Sequence, residues 1–333
     1  MCLEDLQSQS MVHLNPSNQS FSIHRYLQEN AYEQLSSNPA RLRSTFEQAL
    51  FLLTITQPAI ENTNRHWSEH WWAGAEKYLS HINVVGSHFL KTPQHFTGFE
   101  NQLGKLTAQG AMYFFERFNH HAAGQTFNMT KAIFGLATDP DIVVLSDSHR
   151  IEARMFNELN RPIQSLETGE KALQYAEAAL ERGLLSPHDD ARTPRILTGL
   201  GNSLSQLGSY GEAKDRQLEA LKLAGNIVAC DNDAIGIIQL NWGFLLHRLG
   251  RNHEAERVLQ AAIQTFPDMA PAYYPLGNVY LAMGQVDDAI AEHLKGLKLY
   301  KTRFGPQHAV NAKCMFKVGA ILLRSKGEPR LAM

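Results

Sequence analysis

GIIQLNWGFLLHRLGRNHEAERVLQAAIQTFP (Gly236 to Pro267), with APAYYPLGNVYLAMGQVDDAIAEHLKGLKLY (Ala270 to Tyr300) close behind it, is the part of the chain whose reading decides the fold. Laid over one another, the two strings are copies of one unit. Gly243 falls on Gly277, Leu246 on Tyr280, Gly250 on Gly284, Ala255 on Ala289 and Ala262 on Gly296. The starts, Gly236 and Ala270, lie 34 positions apart. In each copy a segment of helical periodicity ends at a glycine, and a second amphipathic segment follows almost at once. Each copy is therefore two helices packed antiparallel. Gly250 and Gly284 stand where the chain reverses, a place that needs the left-handed backbone glycine adopts without steric penalty. Gly243, Ala255 and Ala262 fall on facing surfaces, where a side chain larger than methyl would hold the helix axes apart.

The same register extends outward. LTAQGAMYFFERFNHHAAGQTFNMTKAI is a degenerate copy with Ala123 and Phe127 in its second helix, and HRIEARMFNELNRPIQSLETGEKALQYAEAALE is another that turns at Asn160-Arg161-Pro162. A third starts at Thr193-Pro194, carries Gly201, stops at Gly208 and restarts with a Ser209 to Glu212 capping box. HDDARTP (His188 to Pro194) and CDNDA (Cys230 to Ala234) read as polar turns between copies. Starts near Gly104, Ser146, Pro194, Gly236, Ala270 and Lys313 give spacings of 42, 48, 42, 34 and 43. This period and its pattern of small and large residues resemble the tetratricopeptide repeat (TPR). The longer spacings, and YKTRFGPQHA before the last helix, resemble the longer-helix TPR variety of kinesin light chains and fungal NLR-like proteins. The resemblance implies an all-α, right-handed TPR solenoid over residues 96–333, of about six repeats, the first degenerate and the last incomplete.

Composition sets the class. The chain has 333 residues, room for about two domains at ~150 residues each. Lysine plus arginine number 31 against 33 acidic residues with no run of either sign, so neither nucleic acid nor a membrane surface is an expected partner. Cys2, Cys230 and Cys314 are few and far apart, which suits a reducing, cytoplasmic or nuclear setting better than a disulfide framework. The longest apolar run, Ala49 to Thr56, is too short to span a bilayer.

Before the repeats, MVHL, the turn-rich NPSNQS and FSI predict a β-hairpin with Val12, Leu14, Phe21 and Ile23 on one face. A helix from His24 to about Leu35 follows, then one capped by Asn38 with Pro39 at its first position. MVHLNPSNQSFSIHRYLQ resembles the end of the winged-helix module that follows the nucleotide-binding (NB-ARC) core of fungal NLR-like STAND proteins. Phe21, Ile23, His24, Arg25, Leu27 and Gln28 stand at matching places. HWWAGAEKYLSHINVV resembles the next stretch of that family, and TPR repeats follow there too. Residues 1–95 are thus expected to form a winged-helix-like end. No G-x-x-x-x-G-K-[ST] occurs; GFENQLGKL (Gly98 to Leu106) has a different spacing and reads as the start of a helix capped by Thr97 and Glu100, so ATP hydrolysis is not expected.

His66-Trp67-Ser68-Glu69-His70 is formally H-x-x-E-H, two imidazoles one turn apart with Glu69 as a possible general base. Fifteen histidines make such a string easy to meet by chance, no third ligand is marked, and Trp71, Trp72 and Tyr78 suggest a packing helix. His120-His121 reads as solvated residues in a turn, Ser146 to His149 as a helix N-cap, and Gly199 to Gly201 as part of a helix. No catalytic residue, cofactor or metal is therefore expected, and a zinc hydrolase on His66, Glu69 and His70 is the last alternative. In TPR proteins the first helices line a concave face, which here carries Arg195, Thr198, Asn202, Asn241, Phe244, His247, Tyr274, Asn278 and Leu281. Such faces hold extended peptides or partner helices. A chaperone-tail carboxylate clamp is not expected, because Phe244 interrupts the asparagines, and Thr198, Leu240 and Tyr274 stand where cations belong. The expected function is a non-enzymatic interaction scaffold. The alternative is a stand-alone or truncated sensor end of an NLR-like protein acting with a nucleotide-binding partner. AVNAKCMFKVGAILL (Ala309 to Leu323) is apolar nearly all round, so Met315, Val318 or Leu322 should lie in an exposed edge suited to self-association.

Overall fold

A computed structural model describes residues 12–15, 20–23, 25–56, 69–186, 188, 190–227, 232–306 and 309–325. In chain order these form β1 (Val12–Asn15), β2 (Ser20–Ile23), α1 (Arg25–Ser36), α2 (Pro39–Thr56) and α3 (Glu69–Lys91). Next come a 3₁₀ turn at Pro93–His95, α4 (Glu100–Glu116), α5 (His120–Phe134), α6 (Ile142–Glu158) and α7 (Pro162–Glu181). The chain continues as α8 (Arg192–Leu207), α9 (Tyr210–Gly225), α10 (Asn232–Arg248), α11 (Asn252–Thr265), α12 (Ala270–Ala282), α13 (Val286–Phe304) and α14 (Ala309–Ser325). From α4 onward each even-numbered helix packs on its successor, and each pair packs on the next.

The turn inside each pair is one motif repeated five times. Phe118, Asn160, Gly208, Gly250 and Gly284 all have left-handed backbones, with φ of 59°, 56°, 85°, 75° and 81°. The residue after each donates its N–H to the carbonyl five positions back: Asn119 to Phe114, Arg161 to Phe156, Ser209 to Leu204, Arg251 to Leu246 and Gln285 to Tyr280, all at 2.8–2.9 Å. This bond satisfies a carbonyl that the helix end leaves bare. The turns stand 42, 48, 42 and 34 positions apart, the spacings read from the sequence. Between the helices, the small residues do what their size suggests. Ala213, Ala255, Ala262 and Ala289 are fully buried, and Gly243 sits against Leu259.

At the N-terminal end, β1 and β2 pair antiparallel with Val12 opposite Ile23 and Leu14 opposite Phe21. The Gln28 amide ties α1 to the end of β2 by donating to the Ile23 carbonyl at 2.7 Å. One apolar cluster joins Leu42, Phe46, Leu50 and Leu53 of α2, Ile82 and Phe89 of α3, Phe96, Leu103 and Leu106, and Ile133 of α5, with Phe46 stacked on Phe96 at 4.1 Å. The core therefore runs through position 95, and α2 and α3 meet α4 and α5 as the later pairs meet one another.

Several local expectations are corrected. Ser146 to His149 is no helix cap: Asp141 caps α6 through the Val143 and Val144 amides, and Ser146 is a buried mid-helix residue donating to the Ala172 carbonyl. Ser209 precedes α9 without accepting a side-chain cap bond. α4 begins at Glu100, not after Thr97, although Glu100 does reach back to the Gly98 amide at 2.8 Å. His120 and His121 open α5, with Asn119 as the cap, and do not form the turn itself. On α14, Phe316, Met315 and Leu323 are 79%, 50% and 48% exposed, whereas Val318 and Leu322 are half-buried.

Candidate interaction groove

The first helices α6, α8, α10 and α12 pack side by side, and polar clasps bridge them. The Asn157 side-chain amide of α6 donates to the Gly199 carbonyl of α8 at 3.3 Å, and Asn157 Oδ1 accepts from the Ser203 hydroxyl at 3.3 Å. One step on, the Asn202 amide donates to Asn241 Oδ1 at 2.7 Å, while the Asn241 amide donates to the Ile237 carbonyl at 2.7 Å. The two groove asparagines are thus partly committed to holding α8 on α10. Asn278 of α12 has no such tie. Its Oδ1 is buried with no hydrogen-bond partner. Burial pushes the Tyr274 phenol up, and a hydrogen bond with Asn278 draws it part of the way back.

The other expected groove residues divide by environment. Arg195, Phe244 and Leu281 are half-buried on their helices. Thr198 is only 2% exposed, and its hydroxyl donates to the Pro194 carbonyl one turn back, so it belongs to the packing and presents nothing to a ligand. His247 Nδ1 lies 2.9 Å from Asn252 Oδ1, a contact that ties α10 to the start of α11.

Two residues under the groove were not foreseen. Gln217 of α9 lies fully buried beneath Gly201 and donates to the Thr198 carbonyl at 3.2 Å and to Asn202 Oδ1 at 3.5 Å. The residues standing likewise beneath Gly243 and Gly277 are Leu259 and His293, each sixteen positions after its glycine. His293 is 1% exposed, with the Tyr274 ring edge-on at 5.2 Å, and neither ring nitrogen has a partner among the described residues. Burial, with the Lys317 charge nearby, lowers its pKa to about 4, so the ring is neutral. Carrying the repeat alignment into the second helices brings out this column.

The mouth of the α6–α8 interface carries charge. Asp147 accepts from Arg150 at 3.0 Å and from Arg192 at 2.9 Å, and Arg192 also meets Asp190 at 2.6 Å. Burial favours a protonated Asp147, but the two guanidiniums outweigh it and hold the carboxyl below its ordinary range. Among the described residues no three His, Cys, Asp or Glu side chains are placed to hold a metal. His66 and the side chains of Glu69 and His70 lie outside the described residues. No helix among those described is long and apolar enough to cross a membrane.

Residues 246–298 match the tetratricopeptide repeat family. This segment runs from the end of α10 into α13 and contains the turn at Gly250, the Gly277–His293 contact and the candidate residues Tyr274 and Asn278. Among solved structures the chain is similar to a Rap protein complexed with Competence and Sporulation Factor, at 13% identity and a TM-score of 0.54, over 92% of this chain and 94% of that one. It is similar also to the apo form of RapI, at 15% identity and a TM-score of 0.51, over 91% and 82%. A further similarity, at 17% identity and a TM-score of 0.48, is to BtubC from P. vanneervenii, over 70% and 91%. No curated protein matches the sequence. The fold is an α-helical solenoid, and residues 246–298 of it carry the tetratricopeptide repeat match.

Proposed function

We propose that this chain is a non-enzymatic scaffold of the cytoplasm that holds a peptide or partner helix along α8, α10 and α12. The observation that carries this reading is Asn278. A buried amide oxygen without a donor costs about 1–3 kcal/mol, and a peptide N–H laid in the groove would supply the donor. Half-buried Tyr274, Phe244 and Leu281 supply apolar area beside it. The fold agrees, since the Rap protein named above was solved with a bound factor. The test is affinity purification of the full chain and of Tyr274→Ala and Asn278→Ala, with bound proteins identified by mass spectrometry. Loss of a specific partner in both variants supports the reading, and equal recovery would move the site elsewhere.

A second reading has its own support. The hairpin of β1 and β2 running into α1 suits the resemblance to the winged-helix end of NLR-like STAND proteins, with this chain regulating a nucleotide-binding partner. Co-purification with an NB-ARC chain would favour it. The outward Phe316, Met315 and Leu323 of α14 support self-association through that edge.

A further inference from the structure

The last two helices carry a charge that the whole chain hides. Residues 293–327 hold eight lysines and arginines and no aspartate or glutamate, which leaves 23 basic against 33 acidic residues in the remainder. On α13 the acids Asp287, Asp288 and Glu292 lie in the first half, and Glu292 takes up Lys295 at 2.6 Å. Beyond them Leu294, Lys298 and Lys301 are exposed at spacings of four and three, one outward stripe. Beside it α14 turns Met315, Phe316 and Leu323 outward, and its sequence contains Lys313, Lys317 and Arg324 but no acid. This end of the array is therefore apolar and basic together.

Its complement lies on α7. Glu167, Glu170, Glu177 and Glu181 are exposed at spacings of three, seven and four, so they line one stripe of that helix, with exposed Leu184 just beyond. None of the four makes an ion pair among the described residues, and Lys171 is the one cation of α7. Both α7 and α13 are second helices, and their stripes share a register. Gln174 and Glu177 stand 14 and 17 positions past the left-handed Asn160, as Lys298 and Lys301 do past Gly284. The outer side of the array thus changes sign along its length. Two helix pairs, α8–α9 and α10–α11, separate the stripes within one chain.

We infer that the occupant of the α13–α14 face is a second copy of this chain, which lays its α7 stripe across Lys298 and Lys301 beside Phe316. The inference rests on self-association through the α14 edge and names the surface on the other side. The contact is head-to-tail, because α14 set against another α14 would bring like charges together.

Sedimentation of the full chain over a range of concentrations, at low and at high salt, is the test. Mass should rise with concentration, and the association should weaken as salt screens the charges. Lys298→Glu with Lys301→Glu should weaken it by about ten-fold or more, and so should Glu170→Lys with Glu177→Lys. All four positions are exposed, and unchanged melting curves confirm that the variants fold. An equimolar mixture of the two double variants should associate again, since each supplies the charge the other lacks. Loss of association in Phe316→Gln with none in either charge-reversed variant would keep the α14 edge and overturn its pairing with α7. A mixture that stays monomeric would overturn that pairing too. A chain that is monomeric at every concentration would overturn both.

Discussion

A methyl group added at Gly243 would stand 2.6 Å from Leu259 Cγ, nearer than packed carbons approach. Gly243→Leu should therefore force α10 and α11 apart and cost about 1–3 kcal/mol, read as a lower melting temperature. An unchanged melt would mean that the helices do not meet there. His293 makes a prediction of the opposite sign. Its folded pKa of about 4 lies below the ordinary 6.5, so as pH falls the unfolded chain takes up the proton first. Its contribution to stability is complete above pH 6.5 and is lost between there and pH 4, by up to about 3 kcal/mol. His293→Leu, which places here the residue found beneath Gly243, should raise the melting temperature at neutral pH and flatten its fall in acid. Melting curves across that range check both, and equal slopes would put the titrating group elsewhere. The glycines facing the second helices were legible because smallness at a helix contact shows in composition. Gln217 and His293 were not, because a polar residue on a second helix looks solvated until the distance across the turn is known.

Each helix pair closes on one left-handed residue, so the turn is where an element-level substitution tells most. Gly250→Ala keeps every side-chain contact yet puts a Cβ on a backbone of φ 75°, and should cost about 1 kcal/mol by chemical denaturation. A cost near zero would mean that the turn can relax to another form. The glycine turns were readable from the repeat, and Asn160 was announced by Pro162 behind it. Phe118 was hidden, since phenylalanine gives no turn signal; its ring lies edge-on to His120 at 5.9 Å. The last helix shows another limit. The apolar circumference of α14 announced an exposed edge, but which residues point outward depends on the angle at which it meets α13, and Phe316 proved the most exposed. If that edge mediates self-association, light scattering over a range of concentrations should show a mass that rises with concentration and falls back in Phe316→Gln. A concentration-independent monomer that binds no hydrophobic dye would show the edge to be inert.

For the whole molecule, an array of similar pairs presents its first helices as one continuous surface, and stability and binding are both built from neighbour contacts. The array was legible because its period repeats. The way α2 and α3 join it was not, since the packing of Phe46 on Phe96 across the expected boundary has no periodic signature. The groove was legible as a register. Its division into clasped and open parts, with Asn202 and Asn241 tied together and Asn278 left without a donor, needed side-chain geometry. The central claim is that a partner lies along α8, α10 and α12. Hydroxyl-radical footprinting of the chain with and without its co-purified partner tests this side chain by side chain. The account predicts that Phe244, Tyr274 and Leu281 lose reactivity on binding while Phe51 and Ile163, exposed on α2 and α7, keep theirs. Unchanged oxidation of Phe244, Tyr274 and Leu281 in the presence of a bound partner would contradict it.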